Sequence, residues 1–222
     1  MVGAMLVLGV DPGLTRCGLG LVRGPADRPG VALQTCIRTG PDLALEDRLL
    51  RVHDAILEVI EAHRPDAVAV ERVLFSSNVR TAMATGQAAG AALLAAARAS
   101  VPVTSYSPSD VKLTVAGAGD ADKDAVTRLV TAQLGLASAP RPADVADALA
   151  IALTHLARTR LAALTADTPA ATTVATAQVD AGRAERGGWE AHLAARGLLP
   201  TAAGRSTRKG QQPSSPPARR RT

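Results

Sequence analysis

The sequence predicts an α/β fold in which a five-stranded mixed sheet is flanked by helices. Two observations indicate it: short apolar runs of strand length, and longer segments with helical periodicity that separate the later runs. At 222 residues, of which 47% are hydrophobic, the chain is long enough for one sizeable core. Aromatic residues are limited to one Phe, one Tyr and one Trp. Leu, Val, Ile and Ala must therefore fill that core.

The N-terminal segment predicts three strands in a meander. An apolar run at residues 5–10 ends at Asp-Pro-Gly, a strong turn signal. Two further runs, at residues 17–23 and 31–38, are joined by a turn region at 24–30 that begins and ends with glycine. These runs supply three of the five predicted strands.

The middle of the chain alternates helices with strands. Its predicted elements are a helix at 43–63, an apolar strand at 66–71, an Ala-rich helix at 79–99 and a brief strand at 101–104. In the Ala-rich helix, Gly86 and Gly90 are four residues apart and therefore share a face. Small residues at this spacing permit close helix contact, either within one subunit or at a dimer interface.

The C-terminal part of the domain predicts three helices. Two of them flank a Gly-rich loop at 117–119, and Ser107 is a candidate N-cap for the first. The last helix, at residues 140–157, is apolar except for a few polar residues that include Asp144 and Asp147 in its first turns. Their spacing of three places both carboxylates on one inward-looking face.

Charge divides the chain into a domain and a tail. Residues 1–164 contain 16 Lys and Arg against 16 Asp and Glu, whereas residues 165–222 contain 9 against 4. The formal charge of +5 therefore lies in the tail. We assign residues 1–164 to one domain and 165–222 to a low-complexity, disordered basic tail. Any basic binding face on the domain must come from segregation of charge.

Cysteine content and hydropathy indicate a cytoplasmic protein. Cys17 and Cys36 form no disulfide framework or metal-binding pattern, as expected in a reducing compartment. The apolar run before Asp11 and the longest later one, at residues 88–97, are both too short to span a membrane. We therefore expect no membrane association. The native start, at Met1 or Met5, stays open.

Four carboxylates fall at the ends of predicted elements. Asp11 and Glu71 each end a strand, and Asp144 and Asp147 begin the last helix. Open α/β sheets place their sites at such strand ends. Acidic groups gathered there need cations, and oxygen ligands suit Mg²⁺ better than zinc. Two such ions roughly 4 Å apart activate water and stabilise the leaving oxygen in phosphodiester hydrolysis.

The carboxylates also have purely structural interpretations, of which helix capping fits Asp144 better than Asp147. In these interpretations Asp11 serves only its turn, and Asp144 caps the helix and opposes its dipole. Glu71 pairs with Arg72 or Arg80. None of these explains why all four carboxylates fall at element ends.

Four segments follow one another over about residues 5–160: VLGVDPGLTRCGLGLV, AVAVERVLFSSNVRTAMATGQAAG, VKLTVAGAGDADKDAV and ADVADALAIALTH. Together, in this order and at these separations, they resemble the signature segments of the RuvC family of Holliday-junction resolvases. The resemblance implies a ribonuclease-H-like fold and a homodimer. It also implies Mg²⁺-dependent hydrolysis, with two ions at each site and Mn²⁺ as a substitute. The expected reaction is paired symmetric nicking of four-way junction DNA, and the expected partner is a branch-migration complex of RuvA and RuvB.

The resemblance also assigns residues. It implies catalytic and metal-binding roles for Asp11, Glu71, Asp144 and Asp147, and DNA contacts for the lysines Lys112 and Lys123. The domain has only these two lysines. Arg80 is a further candidate DNA contact. The family usually has an aromatic wedge after the catalytic glutamate, but the matching residue here is Leu74, with Phe75 directly after it. We favour Phe75 as the wedge, although apolar wedges also occur and Phe75 packing at the dimer contact is the alternative.

Two other functions remain as alternatives. The segment DPGLT also occurs in actin-like and sugar-kinase ATPases, but such an enzyme needs further Gly-rich nucleotide motifs where this chain has its carboxylate pair. A catalytically silent junction-binding scaffold would not need the four carboxylates. Six Lys and Arg residues after Gly204 give the tail the means to add salt-sensitive affinity for phosphates.

Overall fold

The structure, a computed structural model, describes residues 4–72 and 78–166. The strands of its single described sheet are β1 Met5–Asp11, β2 Arg16–Gly24, β3 Gly30–Arg38, β4 Ala67–Glu71 and β5 Val103–Tyr106. The helices in these residues are α1 Leu45–His63, α2 Val79–Arg98, α3 Pro108–Ala116, α4 Lys123–Gln133 and α5 Ala143–Ala166. The predicted five-stranded mixed sheet flanked by helices is confirmed.

The strand order is β3-β2-β1-β4-β5. Strands β1, β2 and β3 form the predicted antiparallel meander, whereas β1, β4 and β5 are parallel to one another. Parallel neighbours end at the same edge of a sheet. The C-terminal ends of β1 and β4 therefore lie side by side.

Alternation along the strands separates two cores. In β1, Leu8 and Val10 pack with α1 and α2 on one face, while Val7 packs with α3, α4 and α5 on the other. Because side chains alternate with a period of two, Gly9 and Asp11 belong to the face that carries α5. Both cores consist mainly of aliphatic residues and Ala. Cys17 belongs to the core with α1 and α2, and Tyr106, in the other core, is the one aromatic member among the described residues.

Several boundaries differ from the sequence prediction, most of them by one or two residues. Strand β5 begins at Val103, two residues later than predicted, because Pro102 has no N–H for the ladder and contributes only its carbonyl, to the N–H of Val68 at 2.9 Å. Helix α5 continues to Ala166, beyond the predicted end. The predicted cap at Ser107 is confirmed, since Ser107 and Asp110 form a reciprocal capping box.

One face of α2 has no neighbour among the described residues. Ala88, Ala92 and Ala95 bury the opposite face against the sheet. A methyl group built on Gly86 or Gly90 would meet nothing within 4 Å. Close packing of these glycines within the subunit, one of the two alternatives, is therefore wrong for the described part of the chain.

Cys17 is buried, Cys36 is partly buried, and both are free thiols. No helix in residues 4–72 and 78–166 combines the length and apolar character needed to cross a bilayer.

Candidate active site

Two of the predicted acidic residues end the central parallel strands. The β1–β4 register runs up to the pair Val10 and Val70, so Asp11 and Glu71 follow as neighbours at the sheet edge. Both belong to the sheet face that carries α5, by the alternation described above. Neither has an ion pair among the described residues, which excludes Arg72 and Arg80 as partners of Glu71 there.

Helix α5 brings the other two carboxylates to the same edge because its backbone lies directly on the sheet. A Cβ atom on Gly18 would overlap the carbonyl oxygen of Asp144, and one on Gly9 would overlap that of Ala148. Only glycine permits this approach. Asp144 lies in the first helical turn and Asp147 one turn further on the same face.

All four carboxylates line one cavity of about 360 Å³. The two lysines of the domain line it as well, Lys112 from α3 and Lys123 from the start of α4. The cavity therefore joins an acidic floor, built by β1, β4 and α5, to two cationic side chains from separate helices.

The acidic floor is electrostatically strained. The pKa of Asp11 is raised to about 8, mainly by burial and also by repulsion from Glu71, Asp147 and Asp144. Burial also raises the pKa of Glu71, again with repulsion from Asp147. Lys123 lowers both pKa values. Without further cations Asp11 retains its proton well above the ordinary carboxyl range.

Two cationic side chains already compensate the helix carboxylates. Lys123 Nζ donates a hydrogen bond to Asp147 Oδ2 at 2.6 Å, and this bond raises the lysine pKa. Arg16 Nε lies 3.0 Å from Asp144 Oδ2. That second contact is an ion pair without hydrogen-bond geometry. The buried Asp144 Oδ2 therefore has no hydrogen-bond partner.

The donor set fits hard divalent cations. Its ligands are carboxylate oxygens alone, and the buried Asp144 Oδ2 still lacks a hydrogen bond. Among the described residues, however, no three acidic, His or Cys side chains stand close enough together to hold one ion. Two of the four carboxylates are instead paired with cationic side chains, Asp144 with Arg16 and Asp147 with Lys123.

The remaining predicted DNA contacts have different positions. Arg80 lies outside the acidic cavity and lines a second cavity, which has Asp144 in common with the first. Leu74 and Phe75 lie outside the described residues, as does the tail beyond residue 166.

Sequence reasoning missed Arg16 and the strand glycines. Gly9 and Gly20 are paired across β1 and β2, and a Cβ on Gly20 would collide with Leu149 of α5. Isolated glycines inside strands are a recognised signal of close backbone approach, so this feature was readable. The pairing of Arg16 with Asp144 had no such signal, because it depends on the shape of the loop after β1.

Comparison with known proteins decides the family. Residues 7–155 match the family described as crossover junction endodeoxyribonuclease RuvC. This chain belongs to the RuvC family.

The RuvC assignment is supported by curated relatives. The chain is 52% identical over 164 residues to the crossover junction endodeoxyribonuclease RuvC of Salinispora arenicola, covering 72% of this chain and 94% of the relative. It is 55% identical over 152 residues to the enzyme of the same name from Rhodococcus opacus, covering 68% and 80%.

A solved RuvC structure supports the fold. The T. thermophilus RuvC in complex with Holliday junction substrate superposes with a TM-score of 0.69 at 43% identity, covering 71% of this chain and 96% of that one. The expected ribonuclease-H-like fold is confirmed. RuvC nucleases are metal-dependent endonucleases, which decides against the ATPase and the silent scaffold.

Proposed function

We propose that this RuvC enzyme resolves four-way DNA junctions by paired symmetric nicks, and that Asp11, Glu71, Asp144 and Asp147 form its catalytic centre. The observation that carries the proposal is their convergence, from two strands and one helix, on a single cavity. A cluster of this kind is a hydrolytic centre for phosphodiesters when cations compensate it.

The carboxylates would hold two Mg²⁺ ions, for which Mn²⁺ would substitute. Such ions supply activated water and stabilise the leaving oxygen during phosphodiester hydrolysis. Asp11 and Glu71 are held by the central strands, whereas Asp144 and Asp147 are held by α5 against the glycines of the sheet. Rigid elements thus fix all four ligands, which limits the rearrangement needed for catalysis.

The two lysines would orient the DNA. Lys123 has 63% of its side chain exposed while its amino group contacts Asp147, so it is accessible to a phosphate entering the cavity. Lys112, partly buried, lines the same cavity from α3. Point charges of this kind position phosphates without reading sequence.

A homodimer would form through the open face of α2. Its exposed large side chains are Val79, Met83, Leu93 and Leu94, on the same helical face as Gly86 and Gly90. We call this set the α2 stripe. A two-fold contact there would present two active sites to opposite strands of one junction, as paired nicking requires.

The other assignments rest on the family resemblance. Phe75, or else Leu74, would act as a wedge against junction bases. A branch-migration complex of RuvA and RuvB would deliver the junction.

Substitution of one metal ligand tests the catalytic centre. Asp147→Asn should abolish nicking of a four-way junction in Mg²⁺ while leaving junction binding in Ca²⁺ intact, because it removes a ligand and leaves the DNA surface in place. The matched control is Asp54→Asn, an exposed position on α1 at the opposite face of the sheet. Near wild-type nicking by Asp147→Asn, with binding unchanged, would contradict the proposed centre.

A further inference from the structure

A second cavity, of about 430 Å³, adjoins the acidic one. Its polar lining consists of two arginines, three threonines and one aspartate: Arg16, Arg80, Thr15, Thr81, Thr85 and Asp144. Asp144 lines both cavities and therefore forms the wall between them. The acidic cavity collects carboxylates, whereas this neighbour collects anion-binding groups.

The arginines of this second cavity are available to a ligand. Arg80 is exposed and has no ion pair among the described residues. Arg16 has 56% of its side chain exposed. Guanidinium groups bind phosphate oxygens in a bidentate manner, and threonine hydroxyls commonly add to such sites on DNA.

The start of β2, which carries Arg16, is held in place from α1. Arg48 donates through Nη2 to Thr15 Oγ1 at 3.0 Å and through Nε to Thr39 Oγ1 at 2.9 Å. The Thr39 N–H also donates to the Thr15 carbonyl at 3.2 Å. Arg16 therefore extends from an ordered backbone, and only its side chain needs to move to change partner.

The present partner of Arg16 is a weak one. Its Nε lies 3.0 Å from Asp144 Oδ2 without forming a hydrogen bond. The pair is half-buried, with 56% of the Arg16 side chain and 22% of the Asp144 side chain exposed, and without a hydrogen bond it is weaker than a hydrogen-bonded ion pair. A phosphate in the cavity would offer the guanidinium two oxygens and would free Asp144 at the same time.

We propose that this cavity is a subsite for a non-scissile backbone phosphate beside the active site, and that Arg16 exchanges Asp144 for that phosphate when DNA binds. The proposal rests on the proposed function and deepens it. Since Asp144 then becomes available to a cation, DNA and divalent ions assist each other's binding, and this coupling is reciprocal.

Phosphate neutralisation tests the subsite. A four-way junction would carry single methylphosphonates at successive positions next to the cut, with affinities measured in Ca²⁺ for wild type, Arg16→Gln and Arg80→Gln. One position should weaken wild-type binding roughly threefold to tenfold. It should add little to the weakening already present in either variant. Arg51→Gln, on an exposed residue of α1 outside the cavity, should retain the full methylphosphonate penalty.

Equal penalties in wild type and both variants at every position would overturn the subsite. If wild type instead shows no preference for a junction over linear duplex, the proposed function fails. The same methylphosphonate series on linear duplex then still tests the subsite. The two failures are therefore distinguishable.

Divalent-ion binding tests the exchange itself. Titration of the DNA-free protein with Mn²⁺, followed by electron paramagnetic resonance, should show about twofold to fivefold tighter binding by Arg16→Gln, because the variant lacks the cation that competes for Asp144. Arg80→Gln and Arg51→Gln should bind Mn²⁺ like wild type. Unchanged or weaker binding by Arg16→Gln would overturn the exchange.

Discussion

The glycines of the sheet and the glycines of α2 have opposite surroundings. Gly9 and Gly18 are covered by the α5 backbone, so that a single methyl group would collide with it. Gly86 and Gly90 face open space among the described residues. A glycine covered by its own chain allows a neighbouring element to pack closely. An uncovered stripe with exposed apolar neighbours is typical of a surface that binds a partner. We infer that the first set builds the active site and the second duplicates it.

The largest effect is expected at the covered glycines. Gly18→Ala should lift α5 and move Asp144, lowering the free energy of unfolding by about 1–3 kcal/mol. Single-turnover nicking should fall at least about 100-fold, since small misplacements of catalytic groups are costly. Gly30→Ala in β3 is the control, because a methyl group there meets nothing within 4 Å. Wild-type nicking by Gly18→Ala would show that this contact does not position the site.

A charge placed in the α2 stripe should disrupt the proposed dimer. Met83→Glu would place a charge in the proposed interface, so light scattering should report a monomer that has lost coordinated cutting of the two strands. Met83 is 61% exposed, and the control Leu161→Glu alters a residue of α5 that is 60% exposed. A dimer that survives Met83→Glu as well as Leu161→Glu would move the interface elsewhere.

A smaller effect is expected on the free energy of unfolding, through the proton that Asp11 holds in the folded protein. The pKa of Asp11, about 8 in the folded protein against 3.8 ordinarily, means that the folded state retains a proton which the unfolded chain has lost. The free energy of unfolding therefore falls as the pH rises across that window. Asp11→Asn removes this pH-dependent loss of stability. The variant should therefore be more stable than wild type at pH 8, by about 1–3 kcal/mol in EDTA.

Thermal unfolding at pH 5 and pH 8 checks this prediction. The advantage of Asp11→Asn should shrink at pH 5, where wild-type Asp11 is protonated, and Mg²⁺ should reduce it at pH 8. A stability difference that stays constant with pH would indicate that Asp11 is ionised throughout.

The smallest effect is expected from the tail. Deletion of residues 167–222 should leave single-turnover nicking at saturating enzyme unchanged, because the four proposed catalytic carboxylates all precede the deleted segment. Junction affinity should fall severalfold at low salt and become less salt-dependent. Affinity titrations at several salt concentrations measure both. Slower nicking at saturating enzyme would give the tail a role in the chemistry.

Much of the fold and the acidic cluster could be predicted because their signals are local. Turn residues and acidic residues at strand ends place Asp11 and Glu71, and helical spacing places Asp144 and Asp147 on one face. The Arg16–Asp144 pair and the second cavity could not be predicted, because they depend on how a loop, α2 and α5 meet in space. Gly86 and Gly90 left two alternatives that only the structure separated.

The most direct test is cleavage of a synthetic four-way junction and a matched linear duplex in Mg²⁺, with each strand labelled separately. The account predicts nicks confined to the junction, at symmetric positions in two opposed strands, and none by Asp147→Asn. Equal cutting of the linear duplex, or nicks in a single strand of the junction, would contradict it.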